Sequence, residues 1–320
     1  MKTKRNISLL SGAPVIGVGA STLCRTLALG MLAVPLAAAG AQAQITVLHS
    51  FTGGTGGTGG YGGLIQSGNT FYGMGTGGGS SNGGTVFSIN ADGLGYQVLG
   101  SFNGTDGKTP RGALILGDTT GSTSTLYGMT EEGGANGDGT VFSIPVAGGT
   151  PTDLHNFAGG ASDGSSPQYG SLLQSGNTLY GLTYQGGSAG DGTVFSISIT
   201  GGATTVLHAF TGSGGDGSQP FNSLVESGGE LYGTTQLGGT GGGTVFSILP
   251  SGGTPSTLSD SVAYEPQSTL TVSASGTSLY GMAQFSGANG AGSIFSIPIG
   301  GGAGTGVTPI VGDQAARCVQ

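Results

Sequence analysis

Repeated aspartates are the first candidates for ligand binding or catalysis in this sequence. Asp106, Asp163 and Asp216 each open an Asp-Gly-x-x-Pro element, and Asp138 and Asp191 each precede a glycine in a second kind of loop. Clustered carboxylate and carbonyl oxygens bind calcium, and the same groups accept hydrogen bonds from glycan hydroxyls. These five aspartates are therefore the candidate ligand-binding residues. Asp-Gly turns also form without any ligand, so a purely structural role stays open.

The histidines are the next candidates for chemistry. His49, His155 and His208 all occupy the same place in the fourth-strand motif, and each lies in Leu-His-x-Phe. A zinc site or a nucleophile relay needs its groups to converge within a few ångströms, whereas repetition spreads these residues over separate units. We predict a structural position for the histidines, no metal site, and no cofactor other than calcium at the aspartates.

Catalytic signatures are missing from the sequence. A glycosidase needs two carboxylates about 5–10 Å apart, and all five candidate aspartates recur by repetition. Glu226, Glu230 and Glu265 are not repeated, but they fall in a strand end, a hairpin turn and a degraded linker. No phosphate-binding loop or nucleophile elbow is present. We predict no catalytic residues, and a carbohydrate-active enzyme remains an alternative.

These side chains lie in a repeat: the sequence contains five copies of one unit of about fifty residues. One anchor is Leu/Phe-Tyr-Gly and the other is Gly-Thr-Val-Phe-Ser-Ile, with variants. The anchor residues are Tyr72, Tyr127, Tyr180, Tyr232 and Tyr280, and Phe87, Phe142, Phe195, Phe246 and Phe295. Period therefore outweighs a composition of 73 glycines and 12 prolines, which by itself would suggest disorder.

Turn chemistry divides each unit into four short strands. In the third copy these are residues 171–174, 179–183, 193–197 and 205–210, with a Gly-Asn hairpin turn between the first two. The strands are apolar on both faces, which suits sheets stacked face to face. Four-stranded units of this length predict an all-β fold, a β-propeller with five four-stranded blades. An open β-solenoid is the main rival.

The strand count also predicts how the ring closes. A fourth-strand motif at 46–51 precedes the first complete unit, and the last unit lacks its own fourth strand. The N-terminal strand can therefore complete the C-terminal blade and remove an exposed sheet edge. Residues 307–311 could supply the missing strand instead. In this architecture both kinds of aspartate loop emerge on one acidic face, together with Glu131 and Glu132.

The N-terminus predicts export. Basic residues, an apolar run at 26–39 and Ala41-Gln42-Ala43 form a signal peptide over 1–43. An uncleaved anchor is the rival, but the run is shorter than the ~20 residues that a membrane span needs. The repeat domain would occupy 44–302 and a tail 303–320. Cleavage leaves three basic residues against 15 acidic ones, a balance that disfavours nucleic acid and anionic lipid.

The repeat resembles a known family. Asp-Gly-x-x-Pro, a short apolar strand, Ser-Gly-Asn-Thr-Leu-Tyr-Gly, Gly-Thr-Val-Phe-Ser-Ile and Leu-His-x-Phe resemble the GloVer tandem repeat of choice-of-anchor proteins, over about residues 45–299. The resemblance implies a bacterial secreted or cell-surface protein and implies no activity. The first and fifth copies depart from the Asp-Gly-x-x-Pro pattern.

These observations together predict a secreted or surface-exposed propeller that acts as a binding or interaction module. Its ligand would be an extracellular glycan, a cation or a protein on the Asp-Gly loop face. A purely structural matrix protein and a carbohydrate-active enzyme are the alternatives.

Overall fold

The structure, a computed structural model, describes residues 45–117, 124–240, 242–260, 265–285 and 291–300. The predicted signal peptide at 1–43, the tail at 303–320 and the alternative closing strand at 307–311 lie outside these residues. Within them the protein is all-β, with a single turn of 3-10 helix at Gly54–Gly56. No helix of the described residues is long and apolar enough to span a membrane.

Five antiparallel sheets follow one another along the chain, and each contains strands in sequence order. Sheet 1 contains β1 (Ile65–Ser67), β2 (Thr70–Gly75), β3 (Thr85–Asn90) and β4 (Gln97–Ser101). Sheet 2 contains β5 (Ile115–Leu116), β6 (Thr125–Thr130), β7 (Thr140–Pro145) and β8 (Thr152–Asn156). Sheet 3 contains β10 (Leu173–Ser175), β11 (Thr178–Thr183), β13 (Thr193–Ser198) and β14 (Thr205–Ala209). The predicted strands of the third copy are confirmed to within two residues.

The last two sheets follow the same order. Sheet 4 contains β15 (Gly217–Ser227), β16 (Glu230–Gly238), β17 (Thr244–Ile248) and β18 (Ser256–Ser259). Sheet 5 contains β19 (Thr271–Val272), β20 (Ser278–Ala283) and β21 (Ser293–Pro298). A small extra pair joins β9 (Gly164–Ser165) to β12 (Gln185–Gly186). Among the described residues sheet 5 has three strands; the prediction that its fourth strand comes from elsewhere in the chain stays a prediction.

The core consists of separate apolar layers, each between two consecutive sheets. The layer between sheets 2 and 3, for example, joins Tyr127 and Val141 to Leu179 and Phe195. Equivalent layers join sheets 1 and 2, sheets 3 and 4, and sheets 4 and 5. Strands that are apolar on both faces therefore pack on both faces, and the sheets stack in a propeller-like series.

The Tyr-Gly anchor has a packing reason. In each sheet the glycine of the second strand is paired with the phenylalanine of the third, as Gly181 is with Phe195. The phenylalanine ring lies over the glycine, and a Cβ on Gly181 would lie 2.5 Å from Phe195 Cζ. Only glycine leaves room for the ring, so the two anchors recur together.

Candidate functional site

The Asp-Gly-x-x-Pro elements connect the fourth strand of one sheet to the first strand of the next. Asp163 is buried, and its carboxylate accepts hydrogen bonds from the Ala158 and Gly164 N–H groups, at 2.9 and 2.8 Å, and from Thr204 Oγ1 at 2.8 Å. His155 Nε2 lies 2.9 Å from Asp163 Oδ2. Burial opposes ionisation, yet these hydrogen bonds hold the pKa of Asp163 below its ordinary value.

The same arrangement recurs in the next repeat and is incomplete in the one before. Asp216 accepts hydrogen bonds from the Thr211 and Gly217 N–H groups and lies 3.1 Å from His208 Nε2. Asp106 accepts one from the Asn103 N–H at 2.7 Å, and its other oxygen is buried without a partner. Gly100 replaces the histidine in that repeat. These carboxylates therefore stabilise their own loops, and direct ligand binding by them stays a prediction.

Asp138 and Asp191 link successive repeats. Asp138 accepts a hydrogen bond from Ser165 Oγ at 2.9 Å, and Asp191 accepts one from Ser218 Oγ at 2.6 Å. Both side chains are half-buried. Ligand binding by Asp138 and Asp191 also stays a prediction.

The histidines lie in three separate repeats. His155 and His208 each contact the aspartate of their own loop, and the His49 ring stacks on Tyr96 at 3.7 Å. The described residues contain no group of three or more His, Cys, Asp or Glu side chains that could hold a metal ion.

Each loop also has a strained residue directly before its proline. Thr109, Ser166, Gln219 and Glu265 all have φ between 51° and 62°, which is uncommon for a residue other than glycine. Each N–H donates to a carbonyl of the preceding repeat at 2.8 Å, namely that of Gly83, Asp138, Asp191 and Gly242. This hydrogen bond to the neighbouring repeat stabilises the strained backbone conformation. The positive φ in turn sets the direction in which the chain continues.

After the proline the chain runs close to the same segment of neighbouring repeats. A Cβ on Gly62 would collide with the Gly112 carbonyl, one on Gly112 with Gly170, and one on Gly170 with Asn222. The rings of Tyr61 and Tyr169 meet at 5.8 Å although they belong to the first and third repeats. Repeats that are not consecutive in the chain meet here, so these segments lie along the inner side of the stacked sheets, near a common axis.

Two positions near this axis differ from repeat to repeat, in contrast to the constant anchors. The first position directly precedes the close-approach residues Gly62, Gly112, Gly170 and Asn222 and their equivalent in the fifth copy. It holds Tyr61, Arg111, Tyr169, Phe221 and Gln267. The second follows the last pair between the second and third strands and is Thr76, Glu131, Tyr184, Gln236 and Gln284. We call these ten residues the variable positions.

Six of the ten variable positions line one open cavity of about 550 Å³, the axial cavity. Six of its lining residues are Tyr61, Tyr169, Tyr184, Phe221, Gln236 and Gln267. Gln168 and Asn222 complete the lining. The cavity lies on the same face as the aspartate loops, because its residues come one or two positions after the loop prolines or follow the last pair between the second and third strands. Tyr61 holds the equivalent place in the first copy, which has no such proline.

An ion pair stands beside the cavity. Arg111 Nε lies 2.6 Å from Glu131 Oε2, and its guanidinium carbon lies 5.7 and 5.5 Å from the ring centres of Tyr61 and Tyr169. Glu131 is buried, and burial raises its pKa although Arg111 opposes the rise. The pair therefore fixes the two tyrosines and contributes little net charge.

Sequence reasoning missed the axial cavity, and its prediction of a ligand on the aspartate loops stays a prediction. None of the lining residues belongs to a recognised motif, and they come from four different repeats. A signal was nevertheless present. Aligning the five copies shows which positions vary among otherwise constant ones, and constant positions in a repeat protein serve the stacking that every repeat needs.

The fold and the site define an all-β repeat protein of propeller-like, serially stacked sheets with a cavity near their common axis. The chain belongs to the Gloeobacter/Verrucomicrobia repeat family, whose model matches residues 116–295. This confirms the resemblance to the GloVer repeat. No curated protein matches the sequence.

Several solved structures are similar to this chain. A puromycin-hydrolysing peptidase of Mycobacterium tuberculosis aligns with a TM-score of 0.50 and 12% identity, over 77% of this chain and 38% of that one. A putative TolB from Agrobacterium tumefaciens has a TM-score of 0.42 and 14% identity, over 71% and 74%. A chain of a nidogen/laminin complex has a TM-score of 0.41 and 15% identity, over 67% and 70%. At such identities the likeness concerns the fold alone.

Proposed function

We propose that this protein is an exported binding module whose ligand site is the Asp-Gly loop face, centred on the axial cavity. One observation carries the proposal: positions that hold the sheets together are constant among repeats, whereas positions around the cavity differ. Stacking requires the same residues in every repeat. An asymmetric ligand requires different residues at each point of contact, and these are found where the repeats meet.

The surroundings of the cavity suit such a role. The hydrogen bonds of Asp163 and Asp216 and the links from Asp138 and Asp191 to the next repeat hold the loops in place. Rigid support lowers the entropy cost of binding. The aspartates would thus serve the ligand face through loop geometry, and calcium or glycan contact by the carboxylates would add to it.

The test does not assume the chemical class of the ligand. The full chain is screened against glycan and extracellular-protein arrays, each with calcium and with chelator, and bound ligand is mapped by hydrogen exchange. Protection at 131–139, 184–192 and 217–223 would support the proposal. Protection confined to the opposite end, at the hairpin turns around 176–177 and 228–229, or silence on every array from folded protein, would contradict it and favour a purely structural role.

We also infer export through the predicted signal peptide. The apolar run and the Ala41-Gln42-Ala43 pattern support this. N-terminal sequencing of the protein secreted by a bacterial host should begin at Gln44. Retention of the intact chain inside the cell would contradict it.

The five sheets are further inferred to close into a five-bladed ring through residues 46–51. The Gly93 turn packs on Leu48 as the Gly148, Gly201 and Gly252 turns pack on Leu99, Leu154 and Leu207 of the preceding fourth strands. The Phe51 and Phe87 ring centres lie 5.4 Å apart, and the equivalent pairs lie 4.9 to 5.2 Å apart. Residues 46–51 thus stand in the place of a fourth strand without a third strand beside them.

Sheet 5 has the complementary gap. Its last strand has Ile294 at 53% exposure, whereas the equivalent Val86, Val141, Val194 and Val245 are fully buried. Tyr280 and Met282 of the same face are also exposed. By the register of the other sheets, pairing would set Ser50 opposite Ser293 and His49 opposite Ile294. Residues 46–51 have no third strand beside them, and sheet 5 has no fourth strand among the described residues. Pairing the two would complete both, which supports closure.

A further inference from the structure

The aromatic residues of the axial cavity form a continuous row. Ring centres are 5.8 Å apart for Tyr61 and Tyr169, 5.1 Å for Tyr169 and Phe221, and 6.4 Å for Phe221 and Tyr184. Tyr61 is 71% exposed, and the other three rings are half-buried. The negative face of an aromatic ring attracts the positive edge of a C–H group. The row therefore suits a ligand with apolar C–H faces.

Side-chain amides line the same cavity, and each is oriented by a hydrogen bond to a carboxylate. Gln168 Nε2 donates to Glu131 Oε1 at 2.7 Å. Gln236 and Gln267 donate to the same oxygen, Glu265 Oε2, at 3.3 and 3.1 Å. Gln236 Oε1 also accepts a hydrogen bond from the Tyr184 hydroxyl at 3.4 Å. Each amide has two donor hydrogens and an oxygen with two lone pairs, so these contacts do not exhaust its capacity. An oriented group that both donates and accepts is matched by a hydroxyl, which does the same.

The charges near the cavity disfavour an ionic ligand. Arg111 is paired with Glu131, and Lys108 is paired with Glu132 at 2.7 Å. The remaining carboxylate, Glu265, would repel an anion. A metal ion would find no three His, Cys, Asp or Glu side chains together in the described part of the chain. A neutral ligand with apolar faces and several hydroxyls uses both the rings and the amides of the cavity.

We propose that the axial cavity binds a short neutral saccharide, with the aromatic row against its C–H faces and Gln168, Gln236 and Gln267 on its hydroxyls. This rests on the proposed function and names its ligand class. A cavity of about 550 Å³ lies in the range of small-molecule sites, roughly 300–1,000 Å³. An extended peptide needs a groove along several residues rather than a cavity at an axis.

The experiment measures dissociation constants of the full chain for the best neutral ligand on a glycan array, by calorimetry. Tyr61→Ala and Gln236→Ala should each weaken binding about tenfold, equivalent to about 1.4 kcal/mol. Tyr61→Phe keeps the ring, and Gln66→Ala removes an exposed glutamine of β1 far from the cavity. These two controls should change the dissociation constant less than about threefold, which is about 0.65 kcal/mol.

Three outcomes would overturn this inference, and they separate it from the proposed function. Saccharide binding that survives Tyr61→Ala and Gln236→Ala but disappears in Asp138→Asn and Asp191→Asn would place the site on the outer loops, and the binding module would stand. A peptide ligand lost in Tyr61→Ala would keep the cavity and exclude the saccharide. If folded protein bound nothing on glycan and protein arrays, both the saccharide inference and the proposed function would be contradicted.

Discussion

At Asp163 a buried carboxylate accepts hydrogen bonds from two backbone N–H groups and one hydroxyl, and it contacts His155. Asp106 has the same place in its own repeat but accepts only from Asn103, and Gly100 replaces the histidine. One sequence element thus performs the same task with different numbers of partners. The two aspartates form a matched pair for measuring what the partners contribute.

Asp163→Asn should lower the free energy of unfolding by about 1–3 kcal/mol, because an amide oxygen cannot replace both carboxylate oxygens as acceptors. Asp106→Asn should cost less, since fewer hydrogen bonds are lost and a poorly partnered charge is removed. Urea unfolding at pH 7 measures both, with the exposed Asp92→Asn as control. Equal losses at the two positions would contradict the structural role of the His155 contact and of the extra donors.

The acid sensitivity of folding follows from the same residue. The pKa of Asp163 is lowered in the folded protein, so its stabilisation is present above its unfolded pKa of about 3.9 and is lost as the pH falls through the folded pKa. Between about pH 5 and pH 3 the normal protein should lose more stability than Asp163→Asn does. Parallel loss in the two proteins would show that other groups carry the acid sensitivity.

At the scale of the element, the pairing of Gly181 with Phe195 explains why two anchors recur in every sheet. Gly181→Ala should destabilise the protein by about 1–3 kcal/mol, the usual cost of overpacking a core, because a Cβ would lie 2.5 Å from Phe195 Cζ. Gly63→Ala is the control, since a Cβ there meets nothing within 4 Å. Denaturant midpoints measure both. A neutral Gly181→Ala would mean that the ring moves aside and that packing does not select this glycine.

At the scale of the whole molecule, closure decides whether the last strand of sheet 5 has an unpaired edge. In the full chain with Cys24→Ser and Cys318→Ser, a Ser50→Cys, Ser293→Cys pair should form a disulfide within one molecule under mild oxidation. Ser50→Cys with Ser278→Cys should not, because Ser278 pairs with the far end of β21, about 17 Å along the strand.

Mass spectrometry and non-reducing gels distinguish the outcomes. A band at monomer mass with both cysteines joined supports a five-bladed ring closed by residues 46–51. A disulfide-linked dimer would show that the strand is exchanged between copies, and the absence of any link would contradict the pairing.

The amino-acid sequence determined the elements of this protein. Turn residues, the Tyr-Gly and Phe anchors and the spacing between them are local signals, and local signals define where strands begin and end. The strand bounds of the third copy were predicted to within two residues, since a hairpin turn fixes the register of the strands on either side.

The axial cavity was decided only by the tertiary structure. Tyr61, Tyr169, Phe221 and Gln236 are far apart in the chain and share no motif. They meet because strained loops link each sheet to the one before it and bring the inner segments of successive repeats together. The sequence also did not show that the aspartate carboxylates face their own loops. An Asp-Gly-x-x-Pro element has the same residues whether its carboxylate faces the loop or the solvent. Local spacing specifies a strand, whereas a site between repeats depends on the angle at which whole sheets stack.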